Sequence, residues 1–300
     1  MKRAKGKRFV EKPSQIKKTE KKIKKNQAKL QVEIQKTMQN RDKKFNKYQS
    51  SRKKSKAIYN IIITICLIVI AFSLYKIIDW VIENNKNKSI LEDIQGVIHI
   101  THEEVTINNR PIEKASYSFT DLLQKNPQTI GWVRVPNSNI DYPVVQTTDN
   151  DFYLNHSFDK SANSAGWIFA DYSCKIPGSQ NTIIYGHNRK DRSMFGSLKN
   201  VLEDDWKADP NNQYITFADL NETGIYQIFS VFVCNDEDVN SYLSTDFKSD
   251  EDFKAYLKNL KNNSIQNYDT DIENSEKMIT LYTCYGMNNQ RLLVFAVKVY

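Results

Sequence analysis

A run of 19 residues without a charged side chain, from Ala57 to Tyr75, constrains this chain more than any other feature. Beyond Lys76 the apolar character continues to Val81. An apolar run of this length can cross a bilayer as a helix. It is longer and further from the N-terminus than the apolar part of a signal peptide, and no small-residue cleavage site follows it. The sequence therefore predicts an uncleaved transmembrane anchor at residues 57–81.

The charges on the two sides of this segment have opposite signs. Residues 1–56 carry 22 Lys and Arg against 4 Asp and Glu, whereas the rest of the chain carries 21 against 31. Positive residues remain on the cytoplasmic side of an anchor. We therefore expect a single-pass protein of the cell membrane, with a cytoplasmic arm at 1–56 and everything after about residue 81 outside. An acidic main body also disfavours a nucleic acid as partner.

The basic arm has a sparse apolar pattern. Ile16, Ile23 and Leu30 are seven residues apart, and Ile34 and Met38 follow at intervals of four. A helix with a thin apolar stripe is one interpretation, and a coiled coil is another. So much like charge favours a solvated arm, which would be attracted to an anionic inner leaflet by about 1 kcal/mol per nearby Lys or Arg.

The part of the chain beyond the anchor changes pattern near residue 129. Residues 82–128 are polar and predict a helical stalk followed by further N-terminal helices. Residues 129–300 predict eight short strands without the spacing of β-α-β units, at 130–135, 140–146, 166–170, 182–187, 213–218, 225–234, 277–284 and 291–299. One amphipathic helix, at 249–261, lies between the sixth and seventh strands. This pattern predicts a mostly β fold, a closed eight-stranded barrel.

The last two strands form a hairpin in which Cys284 ends the first strand and Arg291 begins the second. Residues that flank a hairpin loop lie about 5 Å apart across the ladder. A thiol becomes nucleophilic as the thiolate, which nearby positive charge favours. Arg cannot accept a proton, so it can serve only to stabilise an anion. The alternative is a buried structural cysteine beside a surface arginine.

A cysteine nucleophile needs a base, and histidine is the usual one. Of the four histidines, His187 ends an apolar strand and precedes a polar loop, whereas His99 and His102 lie near the stalk and His156 in a polar connection. No serine-hydrolase elbow or zinc-protease motif is present. The four cysteines show no disulfide or zinc pattern, and no acidic cluster predicts calcium, so we expect no metal and no cofactor.

Two motifs together resemble a known family. Thr-Leu-Tyr-Thr-Cys284 with Arg291, and Tyr-Gly-His187-Asn-Arg-Lys-Asp-Arg-Ser-Met-Phe-Gly, are similar to motifs of the sortases, the cysteine transpeptidases of Gram-positive cell surfaces. The Ser-Met-Phe-Gly-Ser-Leu continuation and the helix at 249–261 resemble class B in particular. The resemblance covers roughly residues 90–300 and implies the sortase β-barrel.

The resemblance implies that His187, Cys284 and Arg291 are the catalytic residues. It implies that Cys284 attacks the Thr carbonyl of a C-terminal sorting signal related to Asn-Pro-x-Thr-x and forms a thioester. An amine of the peptidoglycan then resolves the thioester, which anchors a surface protein to the cell wall. Matched positions imply a substrate groove, although each could equally be barrel packing: Asn150, Leu154, Tyr242, Leu243, Tyr282 and Thr283.

This chain departs from the class B pattern at three places. Tyr282 stands where class B commonly has Ser, the loop between Cys284 and Arg291 has six residues and no acidic side chain, and the arm at 1–56 is long. Two alternatives therefore remain open. One is a pilin-polymerising sortase or a thiol hydrolase, which would use the same His187, Cys284 and Arg291. The other is an inactive anchored binding module, which would not need these three residues.

Overall fold

The computed structural model of the protein describes residues 13–286 and 289–300. The chain divides into two units, residues up to Ile77 and residues from Ile78 to Tyr300. Helix α1 spans Pro13–Val97 and therefore belongs to both. Residues 14–95 contain no Gly or Pro and many Lys, Gln and Glu, which favours a helix of this length. In the first unit the apolar side chains from Ile58 to Ile77 are exposed, and this part of α1 is long and apolar enough to cross a membrane.

The second unit contains a β-hairpin that the sequence analysis missed. Strand β1 (His99–Ile107) pairs with β2 (Arg110–Ser118), and Asn108 and Asn109 in the turn both have positive φ. Asn tolerates this conformation, which a two-residue hairpin turn requires. The prediction of a helical stalk and further helices in 82–128 is therefore wrong for residues 99–118. It holds for the end of α1 and for α2 (Thr120–Lys125).

The eight predicted strands are confirmed and form a closed barrel. They are β3 (Thr129–Arg134), β4 (Asp141–Val145), β5 (Phe169–Ala170), β6 (Asn181–Tyr185), β7 (Tyr214–Asp219), β8 (Thr223–Asn235), β9 (Met278–Tyr285) and β10 (Gln290–Lys298). Their order around the barrel is β10-β8-β7-β3-β4-β5-β6-β9, and β9 closes on β10. The β4–β5 and β6–β9 pairs are parallel and the others are antiparallel, so the barrel is mixed.

Three apolar clusters hold this unit together, and the smallest joins the β1–β2 hairpin to β7 and β8. The largest one includes Trp132, Ile184 and Leu281, which are fully buried. Its members come from strands distributed around the barrel, and each such side chain contributes about 1.5–3 kcal/mol on burial.

The second cluster explains the helix between the sixth and seventh barrel strands. This predicted helix is α4 (Asp250–Asn262). A shorter helix, α3 (Asp204–Ala208), precedes β7. The Ser249 side chain accepts a hydrogen bond from the backbone of Asp252 and so caps α4. Its apolar face, with Phe253 and Leu257, packs against side chains of β8 and β10. The helix thus covers apolar side chains on two of the strands that lead to the site described next.

Candidate active site

The β9–β10 hairpin pairs Cys284 directly with Arg291. Directly paired residues have their side chains on the same face of a sheet, about 4.5–5.5 Å apart at Cβ. Cys284 is exposed, whereas Arg291 is half-buried. Gly286 and Asn289, in the described part of the turn, both have positive φ, which allows the chain to reverse tightly. The predicted hairpin and its juxtaposition of thiol and guanidinium are therefore present.

The parallel pairing of β6 and β9 brings His187 to the same place. Tyr185 and Tyr282 are opposite each other in this ladder, so His187 and Cys284 each lie two residues beyond a paired position. The Thr283 hydroxyl donates to the Gly186 carbonyl at 2.6 Å, which ties the two chain segments together. Because both strands run in the same direction, their C-terminal ends reach the same rim of the barrel.

The His187 ring has a defined orientation. Its Nε2 atom lies 2.7 Å from the main-chain carbonyl oxygen of Leu154. A carbonyl can only accept, so Nε2 carries a hydrogen and donates it. Nδ1 is therefore the ring nitrogen left for proton exchange. A Cβ atom on Gly166, which has φ of +60°, would lie 3.0 Å from Cδ2 of His187, so the ring is also packed closely from one side.

The C-terminal part of α1 supports the loops around His187. Asn87 donates to the Gly166 carbonyl at 3.3 Å. Asn84 donates to Asp191 at 2.7 Å and also accepts from the guanidinium of Arg189, two residues after His187. Helix α1 thereby contacts both the Gly166 segment beside the imidazole and the loop that follows His187.

Arg291 makes three close contacts around its guanidinium. Nε donates to the Tyr282 hydroxyl at 2.9 Å, Nη1 donates to the Gln290 carbonyl at 3.0 Å, and Nη2 lies 2.8 Å from a carboxylate oxygen of Asp236. Burial works against the charge of Arg291, but its neighbours, Cys284 first among them, raise its pKa above the ordinary value. The group remains a cation. Its contacts fix the guanidinium beside the thiol.

A second thiol lies on the other side of the same arginine. In the β8–β10 ladder Cys234 is directly opposite Arg291, so Arg291 separates Cys234 from Cys284. Cys234 is half-buried, and burial raises its pKa. Of these two thiols, Cys284 is the accessible one.

Comparison with known proteins identifies the family of this chain. The sortase domain model matches residues 133–299, which include all three of His187, Cys284 and Arg291. The chain belongs to the sortase family. Sortases are cysteine transpeptidases, so this protein is an enzyme of that type, and the relatives described next indicate class B.

Two similar proteins are class B sortases. Sortase B of Listeria monocytogenes is 32% identical over 221 residues, which cover 72% of this chain and 85% of the relative. Sortase B of Staphylococcus aureus is 29% identical, with 78% and 93% covered.

Solved structures agree with this assignment. Sortase B of Clostridium perfringens superimposes with a TM-score of 0.57 at 34% identity and covers 61% of this chain and 100% of its own. Sortase B of Bacillus anthracis in complex with AAEK1 gives a TM-score of 0.61 at 29% identity, with 73% and 98% covered.

The predicted groove residues of this sortase occupy different environments. Leu154 and Thr283 contact the histidine segment through the hydrogen bonds described above, and Tyr282 contacts Arg291. Tyr242 and Leu243 are half-buried. Together with Tyr282, they pack against the second apolar cluster, which includes the apolar face of α4. None of these contacts tests whether a substrate binds there, so the groove stays a prediction.

The side chain of Asn150, another predicted groove residue, makes hydrogen bonds within the protein. Its amide donates to a carboxylate oxygen of Asp171 at 2.8 Å and its carbonyl oxygen accepts from the Tyr172 backbone at 3.0 Å. Asp171 also accepts from the Tyr185 hydroxyl at 2.7 Å. The Tyr185 ring packs edge-to-face on Tyr282, with ring centroids 4.9 Å apart. Asn150 is therefore linked to the site through other side chains.

Three residues at the site were not predicted from the sequence: Asp171, Tyr185 and Asp236. Asp236 follows the end of β8, and it reaches Arg291 because β8 lies beside β10. Tyr185 reaches Tyr282 because β6 lies beside β9. The local sequence around these residues contains no signal for either pairing, since both join strands that are distant in the chain.

Proposed function

We propose that this sortase is a membrane-anchored enzyme that cleaves a C-terminal sorting signal and transfers the protein to an amine of the cell wall. The observation that carries the proposal is the pairing of exposed Cys284 with Arg291. This pair lies at the same rim of the barrel as His187, which follows the end of β6. This arrangement supplies a nucleophile, a proton carrier and a cation within one small area.

The reaction begins when the Cys284 proton passes to Nδ1 of His187. The imidazolium that results is stabilised by the Leu154 carbonyl, which accepts from Nε2. The thiolate attacks the Thr carbonyl carbon of a signal related to Asn-Pro-x-Thr-x, and Arg291 stabilises the oxyanion. The Thr–x peptide bond then breaks, Nδ1 protonates the departing amine, and a thioester remains on Cys284.

The second half of the reaction reverses these roles. An amine of peptidoglycan or its precursor attacks the thioester, and Nδ1 of His187 removes its proton. The carbon–sulfur bond breaks, an amide forms, and the thiolate and imidazolium are restored. With water in place of the amine the product would be a free acid, which is the hydrolase alternative. Surface proteins that carry the signal are the proposed substrates.

Helix α1 supports a location at the cell membrane. Its exposed apolar part is suited to a membrane span, with the basic residues 1–56 in the cytoplasm and the barrel outside. In this topology the site would lie on the side where cell-wall amines are found. The basic arm would lie beside the anionic inner leaflet.

Mass spectrometry of residues 78–300 with a panel of sorting-signal pentapeptides tests the proposal. We expect a mass increase on Cys284 that hydroxylamine removes, and a peptide product when an amine such as triglycine is added. Cys284→Ala should give no adduct, whereas Cys234→Ala, which changes a neighbouring thiol, should give the same adduct as the natural protein. Failure to acylate Cys284 with any signal would favour the binding module.

A further inference from the structure

Tyr282 makes a contact with Arg291 that the proposed reaction has not yet used. The phenol oxygen accepts the hydrogen of Arg291 Nε at 2.9 Å. Tyr282 lies two residues before Cys284 on β9, so its side chain is on the same face of the strand as the thiol.

The surrounding side chains hold the phenol in place. The Tyr282 ring packs edge-to-face on Tyr185, at 4.9 Å between centroids and an interplanar angle of 70°. Tyr185 is in turn fixed by its hydrogen bond to Asp171. Tyr282 is half-buried, and burial raises its pKa, so the hydroxyl is neutral at physiological pH. Its position is therefore set by packed neighbours on β6 and β9.

The two side chains that contact Arg291 from β8 and β9 differ in charge. Asp236 is an anion, so it offsets part of the guanidinium charge. It is also partly exposed, and an oxyanion formed at the site would compete with it for the same cation. Tyr282 is neutral, so it can orient Nε without offsetting the charge. A neutral acceptor is therefore suited to remain in contact with Arg291 throughout the reaction.

We propose that Tyr282 is the positioning residue for Arg291: its hydroxyl fixes the orientation of the guanidinium beside Cys284 and leaves the positive charge available to the oxyanion. The inference rests on the proposed function, because it assigns Tyr282 a role in that same reaction. It differs from a role in binding the signal peptide, which would affect the peptide rather than the arginine.

A double-mutant cycle on the full chain in detergent separates these roles. The measurement is the rate of Cys284 acylation by the pentapeptide that the natural enzyme accepts. The proteins compared are the natural enzyme, Tyr282→Phe, Arg291→Lys and the double variant. We expect Tyr282→Phe to lower the maximal acylation rate about tenfold, with the half-saturating peptide concentration unchanged. Adding Tyr282→Phe to Arg291→Lys should change the rate less than about twofold, because the partner of the hydroxyl is already altered.

Tyr268→Phe is the matched control. Tyr268 is also largely buried, and its hydroxyl donates to Gln266 at 2.7 Å, away from the site. It should acylate at the natural rate. If Tyr282→Phe instead raises the half-saturating concentration, or lowers the rate equally in both arginine backgrounds, Tyr282 binds peptide or merely packs, and the inference is wrong.

A second measurement does not depend on any substrate. In ¹⁵N NMR spectra the Arg291 Nε–H should exchange with water slowly in the natural protein and at least about tenfold faster in Tyr282→Phe, because the hydrogen bond is lost. Equal exchange in both proteins would overturn the inference. A protein that shows the exchange difference but never acylates Cys284 would instead contradict the proposed function.

Discussion

The carbonyl oxygen of Leu154 accepts a hydrogen bond from Nε2 of His187 at 2.7 Å. Leu154 is one of the predicted groove residues, and its main-chain carbonyl also sets which nitrogen of the imidazole donates a hydrogen bond. Gly166 lies close to both the Leu154 carbonyl and the His187 ring. A Cβ atom there would be 2.8 Å from the Leu154 oxygen and 3.0 Å from Cδ2 of His187.

Gly166→Ala should therefore impair both stability and acylation. The residue has φ of +60°, which costs a residue with a Cβ atom about 1–3 kcal/mol of unfolding free energy. The added methyl would also displace the Leu154 carbonyl or the ring, and a displacement of about 1 Å can lower the rate about 100-fold. Urea unfolding and acylation kinetics measure the two effects.

Gly96→Ala is the control for this substitution. Gly96 lies near the end of α1, and nothing lies within 4 Å of its added Cβ. Ala favours a helix over Gly by about 0.5–1 kcal/mol, so stability should stay the same or rise. An equal loss of activity in both variants would mean that the contact between Leu154 and His187 is unimportant.

Thr283→Val should separate the segments that carry the nucleophile and the histidine. The threonine is 2% exposed and donates to the Gly186 carbonyl at 2.6 Å. Valine has a similar shape but cannot donate, so the carbonyl of half-buried Gly186 loses a partner at a cost of about 1 kcal/mol. We expect a lower maximal acylation rate and an unchanged half-saturating peptide concentration. The same change at Thr216, which is buried on β7, should leave the rate unaltered.

Arg291→Lys should lose most of the activity although the charge is retained. A lysine is a point charge and cannot make the separate contacts to Tyr282, Gln290 and Asp236 that the planar guanidinium makes. Loss of an oriented oxyanion donor lowers turnover about 100- to 1,000-fold. The control is Arg134→Lys, which should keep full turnover. Arg134 contacts Glu113 of the β1–β2 hairpin. Near-normal turnover of Arg291→Lys would contradict the role assigned to Arg291.

Asp171 should give this unit part of its acid sensitivity. Burial disfavours its charge, but hydrogen bonds from Ser173, Tyr185 and Asn150 outweigh burial and lower its pKa. A carboxyl with a lowered folded-state pKa stabilises the fold above its unfolded pKa of about 3.9, and this stabilisation is lost as pH falls through the folded value.

Asp171→Asn should accordingly be less stable than the natural protein at pH 7, by about 1–2 kcal/mol. The difference should shrink as pH falls from about 4 through the folded-state pKa, because the carboxyl is protonated first in the unfolded chain and then in the folded protein. Urea midpoints at pH 7 and pH 3 measure this. Glu276→Gln, at an exposed position, should be as stable as the natural protein at both values. A constant difference between Asp171→Asn and the natural protein would show that ionisation of Asp171 does not contribute.

The residues that could be placed from sequence are those whose neighbours are local or belong to a strong pattern. Cys284 and Arg291 are joined by a short turn, and the eight barrel strands have clear apolar runs. The β1–β2 hairpin was missed because most of its outward side chains are polar and its apolar ones, such as Val105 and Ile112, are few. Asp236 could not be placed because its contact requires knowing that β8 adjoins β10.

The position of Arg291 between two cysteines has a consequence for oxidative damage. Cys234 and Cys284 are two strand spacings apart, about 9.6 Å between backbones, whereas a disulfide requires Cα atoms within about 7 Å. The enzyme therefore cannot protect its nucleophile by forming an internal disulfide there. Under peroxide Cys284 would proceed to sulfenic acid and then to irreversible forms, unless a small thiol from the surroundings caps it first.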